Sequence, residues 1–233
     1  MDRTESVLTR LQSHANPANV AGMARFGIST AGTLGLSLPV LRAMAKEIGR
    51  DHLLALSLWA SGVHEARILA GLIDDPQKVT RAQMEQWAAD FDSWDVCDQV
   101  CSNLFDATPF AYDLACAWAG RNEEFVKRAG FVLMAALSVH DKRAGDDAFE
   151  PFFPLIVRES TDGRNFVKKA VNWALRQIGK RNVLLNARAI AVAGEIQTDT
   201  APSARWIAAD ALRELTGEKV QARLRGRKKS PPY

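Results

Sequence analysis

Four segments of the chain repeat one local pattern, a basic residue followed by a small residue and an apolar run: HEARILAGLI, EFVKRAGFVLMAAL, NFVKKAVNWALRQI and SARWIAADALREL. Their matching positions, Arg67, Arg128, Lys169 and Arg205, recur at intervals of 61, 41 and 36 residues, and the segment around Asp98 falls midway through the largest gap. Nearly every stretch between punctuating residues carries apolar side chains at helical spacing, and none shows the sustained alternation of a strand. The spacing predicts an all-α protein with helices near 4–14, 17–26, 38–48, 51–60, 63–73, 80–90, 93–105, 109–119, 122–138, 146–158, 163–179, 183–194 and 202–215. Stops are expected at Asn16-Pro17, Asp74-Asp75-Pro76, Thr108-Pro109, Asp162-Gly163 and Thr216-Gly217.

A repeat of roughly 30 to 41 residues built from helix pairs is the signature of a HEAT- or armadillo-like α-solenoid, a right-handed α-α superhelix. The expectation is one such domain over residues 1–217, with no internal boundary. Inner helices of successive pairs would then line one concave surface, suited to an elongated partner, peptide or nucleic acid alike. Residues 218–233 are expected to form a basic C-terminal tail. Six basic residues lie between Lys219 and Lys229 with no acid among them, so the formal charge of +3 divides into a basic end and a body of 24 bases against 27 acids. Such a tail serves either as a solubilising end or as a phosphate contact.

Three cysteines, Cys97, Cys101 and Cys116, argue against a disulfide framework and for a reducing compartment. The first residues lack the apolar stretch of a signal peptide. The longest uncharged run, Phe26 to Leu41, is interrupted by three glycines and a proline and is too short to cross a bilayer. A cytoplasmic protein without a membrane partner is expected.

Two helices carry the functional signal. In VKKAVNWALRQIGK the buried stripe is Val167, Ala170, Val171, Ala174, Leu175 and Ile178, which leaves Lys169, Trp173, Arg176 and Lys180 on another line. Basic groups interleaved with an indole suit phosphates and a base or sugar; a solvated charged face with a partly buried tryptophan fits the pattern as well. In DSWDVCDQVCSNLF, Trp94 and Asp98 are four residues apart and share a flank with Cys101, with Val96, Val100, Asn103 and Leu104 facing inward. Asp92 or Ser93 is available to cap this helix and Asp95 to complement its dipole. Asp98 lies more than a turn inside and has no capping task, which leaves a surface charge, half of an ion pair, or a functional acid. Arg128 is a third candidate, with Glu124 one turn earlier as an ordinary ion-pair partner.

Together these segments resemble the AlkD-like family of DNA alkylation repair glycosylases, over about residues 10–215. The family's W-D-x-x-D motif is matched by Trp94-Asp95-Val96-Cys97-Asp98, its second tryptophan segment by Phe166 through Arg176, and its arginine before an Ala-rich run by Arg128. Ser93 stands where relatives often have another tryptophan, and Phe26, in MARF, where they carry the aromatic of a MEAY-like segment. The resemblance implies a HEAT-like fold and hydrolysis of the N-glycosidic bond of cationic N3- or N7-alkylpurines in duplex DNA, without deep base flipping. It implies that Asp98 is the catalytic carboxylate, with Trp94 and Trp173 flanking the sugar. It implies further that Arg128, Arg176 and Lys169, together with Arg25, Phe26, Arg67 and Lys180, contact DNA.

The residues themselves point to no cofactor or metal: C-x-x-x-C on one helix with scattered histidines lacks zinc spacing, and no glycine-rich phosphate loop or nucleophile elbow is present. A lysine forming a Schiff base would need desolvation that Lys169 on a polar stripe does not offer. The expected partner is double-stranded DNA with alkylated bases, bound by a monomer with no obligate protein partner. Two other functions fit the same fold: a non-catalytic module for damaged or branched nucleic acid, and a protein-interaction scaffold.

Overall fold

The computed structural model describes residues 2–227, and among them the regular structure is entirely helical. The chain divides into two units between Phe110 and Ala111, each with its own core, where the repeat pattern predicts one domain. The first unit holds α1 (Arg3–Ser13), α2 (Pro17–Ala24), α3 (Leu38–Ile48), α4 (His52–Ala60), α5 (His64–Ile73), α6 (Arg81–Ala89) and α7 (Trp94–Asn103). The second holds α8 (Ala111–Ala119), α9 (Glu124–His140), α10 (Phe152–Glu159), α11 (Asn165–Gly179), α12 (Val183–Gln197), α13 (Pro202–Leu215) and α14 (Glu218–Arg227). The thirteen predicted helices are all present. No helix among the described residues is long and apolar enough to cross a membrane.

In the first unit α5 packs between α3 and α7, and α4 lies against α5. Trp59 of α4 and Trp87 of α6 stack face to face with ring centroids 4.0 Å apart, which joins these two helices in a second row. Asp51, Thr80 and Asn16 cap α4, α6 and α2 by accepting backbone N–H groups with their side chains, so three turn residues start three helices.

In the second unit α11 is the middle of a row, packed against α9 and α13, while α8, α10 and α12 form the neighbouring row. The long apolar run of α9 explains its central place: from Val126 to Ser138 every residue is buried. Where α8 crosses α9, Gly130 permits the close approach; a Cβ there would lie 2.6 Å from the Ala119 nitrogen and 2.9 Å from the Ala115 oxygen. Residues 218–227, expected as part of the tail, form α14, which buries Val220 and Leu224. Lys228 and Lys229 lie outside the described residues.

Because the atoms facing Gly130 are backbone, they cannot swing aside as a flexible side chain would. Gly130→Ala should therefore destabilise the protein by about 1–3 kcal/mol, read as a lowered midpoint in thermal or urea unfolding. An unchanged midpoint would show that α8 and α9 separate freely.

Candidate nucleic-acid interface

On α7 the inward side is Val96, Cys97, Val100 and Cys101, all buried, while Trp94, Asp98 and Gln99 are half-exposed. Cys101, expected beside Trp94 and Asp98 on the flank, is instead inside, and Asn103, expected inside, is half-exposed. Burial pushes the Cys101 thiol well up, with Cys97, Asp98 and Asp106 adding to the shift, so it stays protonated. Among the described residues no cluster of three metal-ligating side chains occurs.

Trp94 and Asp98 remain neighbours one turn apart. The Trp94 indole donates Nε1–H to the Phe26 carbonyl oxygen at 3.0 Å, tying α7 to the segment that follows α2. Phe26 itself projects outward, 72% exposed, and Arg25 beside it is exposed as well. Below this segment lies a cavity of about 470 Å³, mostly apolar, with Met23, Phe26, Ile68 and Trp94 in its lining and His64, Glu65 and Asp95 in its wall.

That wall was not foreseen. Ser93 precedes α7 without capping it; its hydroxyl donates to Asp95 Oδ1 at 2.6 Å, and Asp95 Oδ2 meets His64 Nε2 at 2.9 Å. Ser93 thus does not act as the expected cap, while Asp95 stands in the first turn of α7 as expected and is also the middle of a Ser–Asp–His chain between α7 and α5. Next to it Glu65, fully buried, accepts backbone N–H groups from Leu34, Gly35 and Leu36 at 2.8, 2.6 and 3.2 Å. It holds in place a turn in which Gly35 has φ of 84° and leaves no room for a side chain, since a Cβ would lie 2.3 Å from the Asn16 oxygen.

Arg67, expected at DNA, is half-buried. Its guanidinium lies 5.2 Å above the Trp59 ring and donates to the Asp90 carbonyl oxygen at 3.1 Å, linking α5 to the row of α4 and α6.

In the second unit Arg128 is buried on α9 and donates from Nη1 to the Phe166 carbonyl oxygen at 2.7 Å. The line Lys169, Trp173, Arg176, Lys180 is present on α11 but is exposed only at Lys169; the other three are half-buried. Arg176 pairs with Glu214 and lies 3.5 Å from Asp210, and Lys180 reaches Glu214 at 2.6 Å. Asn172 donates to Asp210 at 2.7 Å, and the Lys168 ammonium sits 4.8 Å from the centre of the Trp206 ring. The contacts 168 to 206, 172 to 210 and 176 to 214 keep one offset along both helices, so α11 and α13 run parallel with a rung at every turn. A partner 38 residues away is invisible to helical periodicity; only the repeat spacing could have signalled it.

Comparison with known proteins identifies the class of this helical-repeat fold. The model of the DNA alkylation repair enzyme family matches residues 7–215, and the chain belongs to that family. A solved structure described as "a new family of proteins related to the HEAT-like repeat DNA glycosylases with affinity for branched DNA structures" shares the fold, with a TM-score of 0.76, 21% identity and 96% of each chain covered. No curated protein matches the chain.

The Ser93–Asp95–His64 chain makes stability depend on pH. Burial by itself lowers the His64 pKa, but the hydrogen bond and charge of Asp95, reinforced by Glu65 and Asp92, carry it above its ordinary value. Burial by itself raises the Asp95 carboxyl, and His64, Ser93 and the Val96 N–H carry it below. The His64 contribution is complete below about pH 6.5 and is lost as pH rises through the raised value; the Asp95 contribution is complete above about pH 4 and is lost on acidification. The stability difference between wild type and His64→Gln, measured by thermal unfolding, should be largest near about pH 5 to 6 and shrink as pH rises above the ordinary histidine range. A difference that grew with pH would reverse the assignment.

Proposed function

We propose that the protein is a DNA glycosylase that hydrolyses the N-glycosidic bond of cationic N3- or N7-alkylated purines in duplex DNA, with Asp98 as the catalytic carboxylate. The observation that carries this reading is the half-exposed Trp94–Asp98 pair on α7, in a chain of the DNA alkylation repair enzyme family. An alkylpurine that already bears a positive charge leaves without a proton. The electron pair of the bond from C1′ to the base nitrogen departs with the base and cancels its charge, while positive charge grows on the sugar. A carboxylate aligned with that charge lowers the barrier and orients the incoming water, whose proton is released as the new C–O bond forms. An indole face beside it attracts the cationic sugar and excludes bulk water.

The role assigned to Trp173, the second indole presented to the deoxyribose, rests on the family motif from Phe166 to Arg176. Lys169, Arg25 and Phe26 are exposed and suit contact with phosphate and sugar. Arg176 and Lys180 are held by Glu214, so a phosphate would have to compete with that carboxylate for them. Arg67 and Arg128 donate to main-chain carbonyl oxygens and act on DNA chiefly by holding their helices in place. The protein is proposed to act as a monomer and without an obligate protein partner.

Purified protein should release N7-methylguanine or N3-methyladenine from methylated duplex DNA. Asp98→Asn should lower that rate by about 10²-fold or more while DNA binding persists. Absence of any base release by the wild type would defeat the enzymatic reading. It would favour a binding module for branched nucleic acid instead, a reading to which the affinity described for the structural neighbour lends support. Glu214→Gln, by releasing Arg176 and Lys180, should tighten duplex binding and steepen the salt dependence by about 0.9 in log–log slope for each phosphate newly engaged. Unaltered salt dependence would remove these two residues from the DNA contact.

A further inference from the structure

Along the seam between α11 and α13 each cation of α11 meets an acid of α13, except at the first rung. The α13 positions one turn apart are Trp206, Asp210 and Glu214, and the first of them is an indole. Lys168 therefore lies over an aromatic ring rather than a carboxylate. Lys169, next to Lys168 in the chain, and Arg205, next to Trp206, are both exposed. Among the described residues none of these three cations has a carboxylate within ion-pairing distance, and Arg205 donates only to the Asp199 carbonyl oxygen, at 3.4 Å. The nearby acids are already engaged: Asp162 with Arg164 and Lys127, and Asp199 with the Ala201 N–H. Trp206 is 41% exposed and, with Phe26, is one of two exposed aromatic side chains among the described residues.

Three cations without carboxylate partners, one over a 41% exposed indole and the other two its chain neighbours on the same two helices, have the chemistry of a site for a nucleic-acid strand with unpaired bases. The cations take successive phosphates and the ring takes a base. A base inside a duplex has both faces covered by its neighbours and cannot stack on Trp206. A base in a single-stranded arm, flap or gap can. An amphipathic membrane contact would need an apolar helix face, and α13 buries its apolar face, Ala204, Ile207, Ala208, Ala211 and Leu215, within its own unit.

We infer that Lys168, Lys169, Arg205 and Trp206 form a binding site for unpaired nucleotides of DNA, separate from the Asp98 chemistry. The inference rests on the reading of the protein as DNA-binding and names a further DNA feature that it recognises. Fluorescence anisotropy with a labelled duplex of about 20 base pairs, blunt or carrying a single-stranded deoxyadenosine arm, tests it. Wild type should bind the armed duplex about tenfold more tightly than the blunt one. Trp206→Ala should abolish that preference and leave blunt-duplex affinity within about twofold, Trp206→Phe should retain most of it, and Lys168→Gln should reduce it. Unchanged thermal unfolding of each variant confirms an intact fold. An equal preference in wild type and Trp206→Ala, or no preference in wild type, would overturn the site while leaving duplex binding and base release standing. Failure of wild type to bind either DNA would overturn the DNA-binding reading and this site together.

Discussion

The parallel seam between α11 and α13 depends on side chains that cross it at a constant offset: Lys168 to Trp206, Asn172 to Asp210, Arg176 to Glu214. Apolar packing resists a slip of one turn through shape alone, since Ala, Val, Ile and Leu on the buried stripes make no directional bonds. A polar side chain half-buried in the seam admits no such slip, because displacement by four residues leaves a charge or amide without its partner in a low-dielectric environment. Register is thereby fixed, and with it the position of every side chain on the open side of α11, Lys169 and Trp173 included.

The first unit solves the same problem with different chemistry. His64 and Asp95 join α5 to α7, and Glu65 joins α5 to the turn before α3 through three main-chain N–H groups. Both residues stand in the first turn of α5, so one end of that helix organises its two flanks. The consequence for function lies in the placement of Trp94. Its neighbour Asp95 is locked to His64 and its own indole N–H is locked to the Phe26 carbonyl oxygen, so the ring is held from two sides while Asp98, one turn on, keeps a half-exposed carboxylate. For the role proposed for Asp98, stabilising positive charge as it develops, rigidity beside the carboxylate favours preorganisation.

The helices were legible because 3.6-residue periodicity and stop residues are local. The apolar stripe read from Val167 to Ile178 is buried as expected. The pairing of helices was legible only as a spacing near 40 residues, which says that units repeat without saying which side chains meet. Hence Arg176 and Lys180 read as an open basic line, although Glu214 in a later repeat binds both. Arg67 and Arg128 have internal contacts that the sequence did not signal, for a related reason. A guanidinium inside a helical protein can satisfy main-chain carbonyl oxygens and rest on an aromatic ring, and nothing in the local sequence separates that use from a phosphate contact. On α7 a pattern reading that placed Cys101 outside and Asn103 inside failed because free cysteine behaves as a small apolar side chain.

The distribution of satisfied and unsatisfied charge decides what a solenoid of this kind can hold. A formal charge of +3 spread over 233 residues gives little net field, so attraction for a polyanion must come from places where cations lack acids. In the second unit, α9 and the lower rungs of α11 spend their cations internally, on Glu159, Asp162 and Glu214. Cations without acids stand, among other places, where α11 and α13 begin, and there Lys168 adjoins an exposed indole. Charge that is internally paired contributes register and little affinity, whereas charge left open contributes counterion release on binding and hence salt-dependent affinity. The residue at position 206 converts what would be a third polar rung into a partly exposed aromatic surface, so a single indole in place of an acid separates a purely structural seam from one that can also receive a ligand.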